Sequence, residues 1–240
     1  MNRVDVVYTL AHRSKARDDW ELRYSLRSLA AQDWVREVYI VGHAPSWARC
    51  AHIPCDDPYT PKDANIIAKV LRACALDEIS DTFVVNSDDH YLLSPIPLVE
   101  LGPWLEDPPG IETYRQRIGQ SLWCRRLVRT LEWCAERGLP QWVFESHIPY
   151  VVDKAAYPEV MDLAPWAQGN GLVTHVYYNV ALTERPEPSG GRALGLRHPR
   201  RDVTRLVAGR TFLNHNDTAL TPALKTFLEQ RFPVPSPWEA

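Results

Sequence analysis

The run Thr82-Phe83-Val84-Val85-Asn86-Ser87-Asp88-Asp89-His90-Tyr91-Leu92-Leu93 sets two adjacent carboxylates directly behind a short apolar stretch, and an apolar pair closes it. Its first five residues are too few for a helix and rich in β-branched and aromatic side chains, which reads as a buried strand. Two earlier runs, Val4 to Leu10 and Glu37 to Val41, have the same character. Between them Leu22, Leu26 and Leu29 recur at helical spacing behind Asp18, Asp19 and Glu21, whose charge suits a helix start. Ile66, Ile67, Val70, Leu71 and Cys74 form a second apolar face. Strand, helix, strand, helix, strand is the pattern of a parallel sheet with right-handed crossovers, so the first third predicts an α/β fold.

Beyond Leu93 the pattern changes. A Pro-bearing stretch leads to a long polar helix expected from about Thr113 to Arg137, short strands are expected around Trp142 to Val152 and Leu172 to Leu182, and a Pro/Gly/Arg-rich segment covers Glu184 to Arg201. A last strand, Thr211 to Asn214, precedes a helix with Thr221 as N-cap and Pro222 at its first position. Nine Trp and twenty Pro fit an irregular, aromatic-rich second half.

With 240 residues, 45% apolar and 24% charged, the chain can bury a full core as one domain over 1–240. No stretch approaches the roughly 20 apolar residues of a membrane span, and no signal-peptide core follows Met1, so a cytosolic protein is expected. Five cysteines without a CxxC pair point to reduced thiols rather than a disulfide scaffold or structural zinc site. The net charge of −3 hides an uneven distribution, since Arg185 to Arg210 holds seven arginines against Glu187 and Asp202.

In open α/β sheets ligands bind beyond the carboxyl ends of the strands, where Asp88 and Asp89 fall. Adjacent like charges repel unless a cation lies between them. Mg²⁺ or Mn²⁺ held by one or two carboxylates meets that need, bridges nucleotide phosphates and neutralises a leaving diphosphate. The plainer alternative is a solvated turn. Lys62, Asp63 and Asn65 open the helix before this strand, where unpaired N–H groups attract anions; Asp63 as a simple cap explains the same residues. Glu145 and His147, two apart on an expected strand and so on one side of it, are the candidates for a catalytic base, and a buried structural histidine is the alternative for His147.

Several blocks resemble the Stealth proteins, bacterial sugar-phosphate transferases with a GT-A core: Asp5 to Thr9, Glu21 to Leu29, Val38 to Val41 with Pro45 and Trp47, and Phe83 to Asp89. His147-Ile148-Pro149-Tyr150 is similar to a third block. Phe212 to Asp217, with Phe232-Pro233 and Pro235 to Glu239, is similar to the last. The family's first block usually continues with Trp and an acidic residue, where this chain has Leu10-Ala11-His12-Arg13, and the chain is compact for that family.

The resemblance implies a GT-A-like nucleotide-diphospho-sugar transferase fold, a mostly parallel sheet flanked by helices with an irregular C-terminal half. Residues 1–95 would form the nucleotide-sugar-binding half and 96–240 the acceptor-binding and catalytic half. It implies a UDP-sugar or related donor, with Asp88 and Asp89 at the metal position, His215 or Asp217 completing the coordination, and Thr9 and Arg13 at the nucleotide base and ribose. For the acceptor, Arg197, Arg200 and Arg201 on the Gly-Gly-containing loop suit phosphates. A hydroxymethylated base in DNA is therefore the favoured expectation, as in a phage enzyme working in its host's cytosol. Hexose-1-phosphate transfer to a capsule or surface polysaccharide is the alternative, and a non-catalytic sugar- or nucleic-acid-binding module is a third that leaves the aspartate pair without a purpose.

Overall fold

The computed structural model describes residues 3–11, 17–106, 111–117, 119, 121–164, 166–168 and 171–240, without the side chains of 17 and 168. Strand β1 (Val4–Leu10) leads to helix α1 (Trp20–Leu29), strand β2 (Val35–Gly42), the short β3 (Ala51–Ile53), helix α2 (Lys62–Cys74) and strand β4 (Thr82–Asn86). These strands form a parallel sheet in the order β3-β2-β1-β4, with Val7 opposite Tyr39 on one side and Val85 on the other. Both faces are covered, which is why the strands carry near-continuous apolar runs. On one face α1 buries Leu22, Leu26 and Leu29 against Val6, Tyr8, Ile40 and Val84. On the other, Ile67, Val70 and Ala73 of α2 pack against Val7, Val41, Phe83 and Val85. Complete burial of one such leucine contributes about 2 kcal/mol.

The rest of the chain completes this frame. Strand β5 (His90–Leu92) turns off the end of β4 and joins a second, three-stranded sheet in the order β5-β8-β7, with β7 at Ala193–Leu196 and β8 at Phe212–His215. Strand β6 (Tyr150–Asp153) adds to β4 antiparallel, Val84 facing Val151, so the main sheet is mostly but not wholly parallel. Between these strands lie α3 (Ile111–Gln116), α4 (Leu122–Ala135), α5 (Ala156–Asp162), α6 (Val173–Ala181) and α7 (Val203–Leu206); α8 (Pro222–Arg231) follows β8. As expected, Thr221 caps α8, its hydroxyl accepting from Leu224 N at 3.2 Å.

Three expectations are corrected. The single long helix divides into α3 and α4, because Ser121 starts a new helix by accepting from Cys124 N at 3.1 Å. In place of the strand expected around Leu172 to Leu182 stands helix α6, Val173–Ala181. Val173 to Asn179 is buried throughout, polar Thr174, His175 and Asn179 included, and its β-branched and aromatic residues favour a strand when read alone. Around Trp142 to Val152 only β6 is a strand. Leu105 and Phe144 make an isolated antiparallel bridge, and Glu145 and His147 follow it in a loop. All five cysteines are free thiols, and among the described residues no helix is long and apolar enough to cross a membrane.

Candidate active site

The parallel strands end on a cavity of about 440 Å³ lined by Thr9 from β1, His43 behind β2, Lys62 and Asn65 from α2, Ser87, Asp88 and Asp89 behind β4, and His215, Asn216 and Asp217 behind β8. Gly42 ends β2 at φ +115°, and a Cβ there would meet the Leu10 carbonyl oxygen at 2.1 Å and Lys69 Cε at 2.8 Å, so β1 and the buried Lys69 close around it. Lys69 pairs with Asp57 on the same wall.

The carboxylate turn is braced from below. Asn86 Nδ2 donates to the Tyr8 hydroxyl (3.0 Å), Tyr8 donates to Ser25 Oγ (2.8 Å), and Ser25 donates to the His90 carbonyl (2.6 Å). This buried chain joins β4, β1, α1 and β5, so the backbone bearing Asp88 and Asp89 is held from four elements. The polar residues Glu21, Ser25 and Ser28 at helical spacing on an otherwise apolar face were its signal in the sequence.

Burial and the neighbouring Asp89 raise the Asp88 carboxyl to about 6. Burial acts on Asp89 in the same direction, but the positive surroundings supplied by His90, Lys62, His215 and His147 outweigh it and leave Asp89 below the ordinary carboxylate range. Burial also lowers His90 to about 4 and His147 to about 3, so these two rings are charged only in acid. Asp89 therefore ionises first and Asp88 second, as in other close carboxyl pairs.

His215 is held on every side. It stacks between Tyr91 and Trp20, with ring centroids at 5.7 and 6.4 Å. Its Nε2 meets the Tyr91 hydroxyl at 2.9 Å with Glu21 Oε1 at 3.4 Å, and Nδ1 lies 3.3 Å from the Asn216 carbonyl. Burial keeps the ring neutral.

Of the expected donor residues, Thr9, Lys62 and Asn65 line the cavity. Asn65 also holds Tyr59 through two backbone hydrogen bonds of 2.9 and 2.7 Å. Asp63 turns to Arg126 of α4. Arg13 lies outside the described residues.

His147 approaches the pair from the β6 side, and neither it nor Glu145 is among the residues that line the cavity. The His147 ring sits 6.2 Å from that of His90, whose Nε2 is 3.6 Å from Asp89 Oδ1, and Glu145 Oε1 accepts from Ser189 Oγ at 3.3 Å. Among the arginines expected at the acceptor, Arg197 is half-buried and feels Asp89 and Glu145, while Arg200 and Arg201 are exposed. Arg197 folds back over Gly195, where a Cβ would stand 2.8 Å from its Nη2 and 3.1 Å from Asn214 Oδ1.

No family model matches the chain. No curated protein matches it either, and the Stealth resemblance rests on the residues quoted above. Solved structures do align with it. The galactosyltransferase LgtC, in complex with donor and acceptor sugar analogs, is 11% identical with 98% of each chain covered and a TM-score of 0.49. A glycosyltransferase involved in glycosylation of the major capsid of PBCV-1 is 12% identical over 95% of this chain and 99% of that one, with a TM-score of 0.47. GlyE of Streptococcus pneumoniae TIGR4 is 9% identical over 98% of this chain and 61% of its own, with a TM-score of 0.44.

Among the described residues no three His, Cys, Asp or Glu side chains are grouped so as to hold a metal ion unaided. Two carboxylates facing a cavity, one of them ionising only near 6, nevertheless suit Mg²⁺ or Mn²⁺ whose remaining ligands are phosphate and water.

Proposed function

We propose that this chain is a nucleotide-sugar-dependent glycosyltransferase whose donor lies in the cavity beyond β1, β2 and β4. The observation that carries the reading is the braced Asp88–Asp89 pair on the cavity wall, one carboxyl raised to about 6, with Lys62 opposite. A divalent ion on Asp88 and Asp89 would supply charge neutralisation to a leaving diphosphate. Lys62, at the start of α2, offers a second positive charge to the same phosphates, and Thr9 and Asn65 line the wall that meets the rest of the nucleotide. His215, stacked and hydrogen-bonded, fixes the opposite wall, and its ligation to the ion requires release of Tyr91 or Asn216.

Deprotonation of the acceptor hydroxyl falls to Glu145. Burial lowers His147 to about 3, which leaves it a weak proton acceptor near pH 7, and Arg197 lies within electrostatic reach of Glu145. Arg197 also supports charge developing beside Asp89.

For the acceptor, a hydroxymethylated base in DNA is favoured by Arg200 and Arg201, exposed and without an ion-pair partner among the described residues. Hexose-1-phosphate transfer to a polysaccharide uses the same donor site. Incubation with a panel of nucleotide sugars and Mn²⁺, followed by detection of released nucleotide, tests the donor half; Asp88→Ala and Asp89→Ala should abolish release, and turnover of either in EDTA would refute the metal-assisted reading. Steep loss of acceptor binding as salt rises marks DNA, whereas a saccharide hardly responds.

A further inference from the structure

The motif Pro235 to Glu239 does not line the donor cavity, yet it is bonded to a loop that does. Behind β2 that loop, from Gly42 to Arg49, puts His43 and Pro45 on the cavity wall. Along its outer side Ala48 and Glu239 form an antiparallel bridge, Arg49 N donates to the Trp238 carbonyl at 2.9 Å, and Ala240 N donates to that of Trp47 at 2.8 Å. The loop's bond toward the sheet, His43 N to the Leu10 carbonyl, is long at 3.4 Å, so the outer contacts decide where the wall stands.

The Glu239 side chain ties these contacts to the body of the fold. It is only 2% exposed, and a carboxylate is tolerated there because both its oxygens are met. Arg27 donates from Nε to Oε1 and from Nη2 to Oε2, each at 2.9 Å, and Ser236 N donates to Oε1 at 2.8 Å. The paired bonds from Arg27 fix the direction of the carboxylate as well as its place. Arg23 Nη1 reaches Oε2 at 3.4 Å, and its guanidinium lies 3.8 Å over the Trp47 ring of the loop. Arg27 also donates to the Phe232 carbonyl at 3.2 Å. Both arginines stand on α1, whose apolar face is packed on β1, β2 and β4, so the loop is fastened to the frame that carries Asp88 and Asp89.

We infer that Glu239 is a positioning residue of the donor site: through Arg27 and Arg23 it clamps the loop behind β2 against α1 and fixes the wall on which the nucleotide rests. This role rests on the glycosyltransferase reading.

The test is titration of the full chain with UDP, GDP, CDP and ADP, each with Mn²⁺, beside amide hydrogen exchange followed peptide by peptide. Glu239→Gln keeps the shape of the side chain and removes its charge. It should weaken the tightest-binding nucleotide roughly tenfold, the loss expected when one buried charge-assisted hydrogen bond goes. Exchange over residues 43–49 should quicken about as much, while β1 and β4 exchange as in the natural chain. Arg23→Gln, at a side chain 27% exposed, leaves the paired bonds of Arg27 in place and removes the guanidinium over Trp47. It should weaken the nucleotide about fourfold and decides the matter if Glu239→Gln does not fold.

The assignment is overturned if folded Glu239→Gln binds the nucleotide within about twofold of the natural chain. It is equally overturned if exchange rises alike in the loop, β1 and β4, which marks a loss of overall stability alone, or if Arg23→Gln, standing in for an unfolded Glu239→Gln, binds as the natural chain does. Failure of the natural chain to bind any of the four nucleotides sinks the donor reading and the positioning role with it; nucleotide binding that the substitutions leave intact sinks the positioning role alone.

Discussion

Replacing Asp88 by Asn should stabilise the metal-free protein, and only at neutral pH. Burial and the Asp89 charge raise the Asp88 carboxyl from its ordinary 3.8 to about 6 in the folded chain. Between those values the folded state keeps a proton that the unfolded state has lost, so stability falls as pH rises through that window; below it there is no cost, and above it the cost is complete. A full tenfold change in proton affinity corresponds to about 1.4 kcal/mol, which sets an upper bound of about 3 kcal/mol. Because the carboxylate faces an open cavity, about 1 to 2 kcal/mol is the expected gain for Asp88→Asn at pH 7. Urea unfolding of both proteins in EDTA from pH 4 to pH 8 measures it. The difference should vanish toward pH 4, and Mn²⁺ at about 100 times its dissociation constant should stabilise the natural chain by about 2.7 kcal/mol and the variant by much less. A variant less stable than the natural chain at pH 7, or a difference that does not change with pH, refutes the reasoning.

Glu145→Gln should lower kcat by about two to four orders of magnitude while His147→Gln, already neutral in its natural form, should keep it within a few-fold; equal losses in both overturn the assignment of the base. Gly195→Ala puts a methyl group 2.8 Å from Arg197 Nη2 and should cost roughly tenfold in kcat/KM through displacement of the guanidinium, with an unchanged melting temperature. Leu26→Ala removes a fully buried side chain between α1 and the sheet and should destabilise by about 2 to 5 kcal/mol in denaturant unfolding; a loss under 1 kcal/mol contradicts the packing described.

The parallel frame was legible because the apolar runs of β1, β2 and β4 are buried on both faces and α1 and α2 each on one, whereas the short β3, with His52 exposed, gave no such signal. The run from Thr82 and the leucines of α1 therefore carry unambiguous periods. The later segments were less readable for the opposite reasons. Helix α6 is rich in β-branched and aromatic residues that read locally as strand, while Glu145 and His147 sit in a loop that follows the isolated Leu105–Phe144 bridge. Among the cavity-lining candidates, Asp88, Asp89, Thr9, Lys62 and Asn65 announce themselves by lying at strand ends or a helix start. The Asp63–Arg126 pair spans 63 positions, and the seat of Arg197 depends on Gly195 and Asn214, which no local spacing reveals.

The sequence by itself determined the α/β order and the emergence of two carboxylates at a strand end, because both follow from the alternation of apolar and polar residues over a few neighbours. Only the tertiary structure decided which groups surround that pair. Burial shifts of Asp88 and His147 and the stacking of His215 between Tyr91 and Trp20 arise from residues far apart in the chain. Their proximity is fixed by packing and not by local propensity.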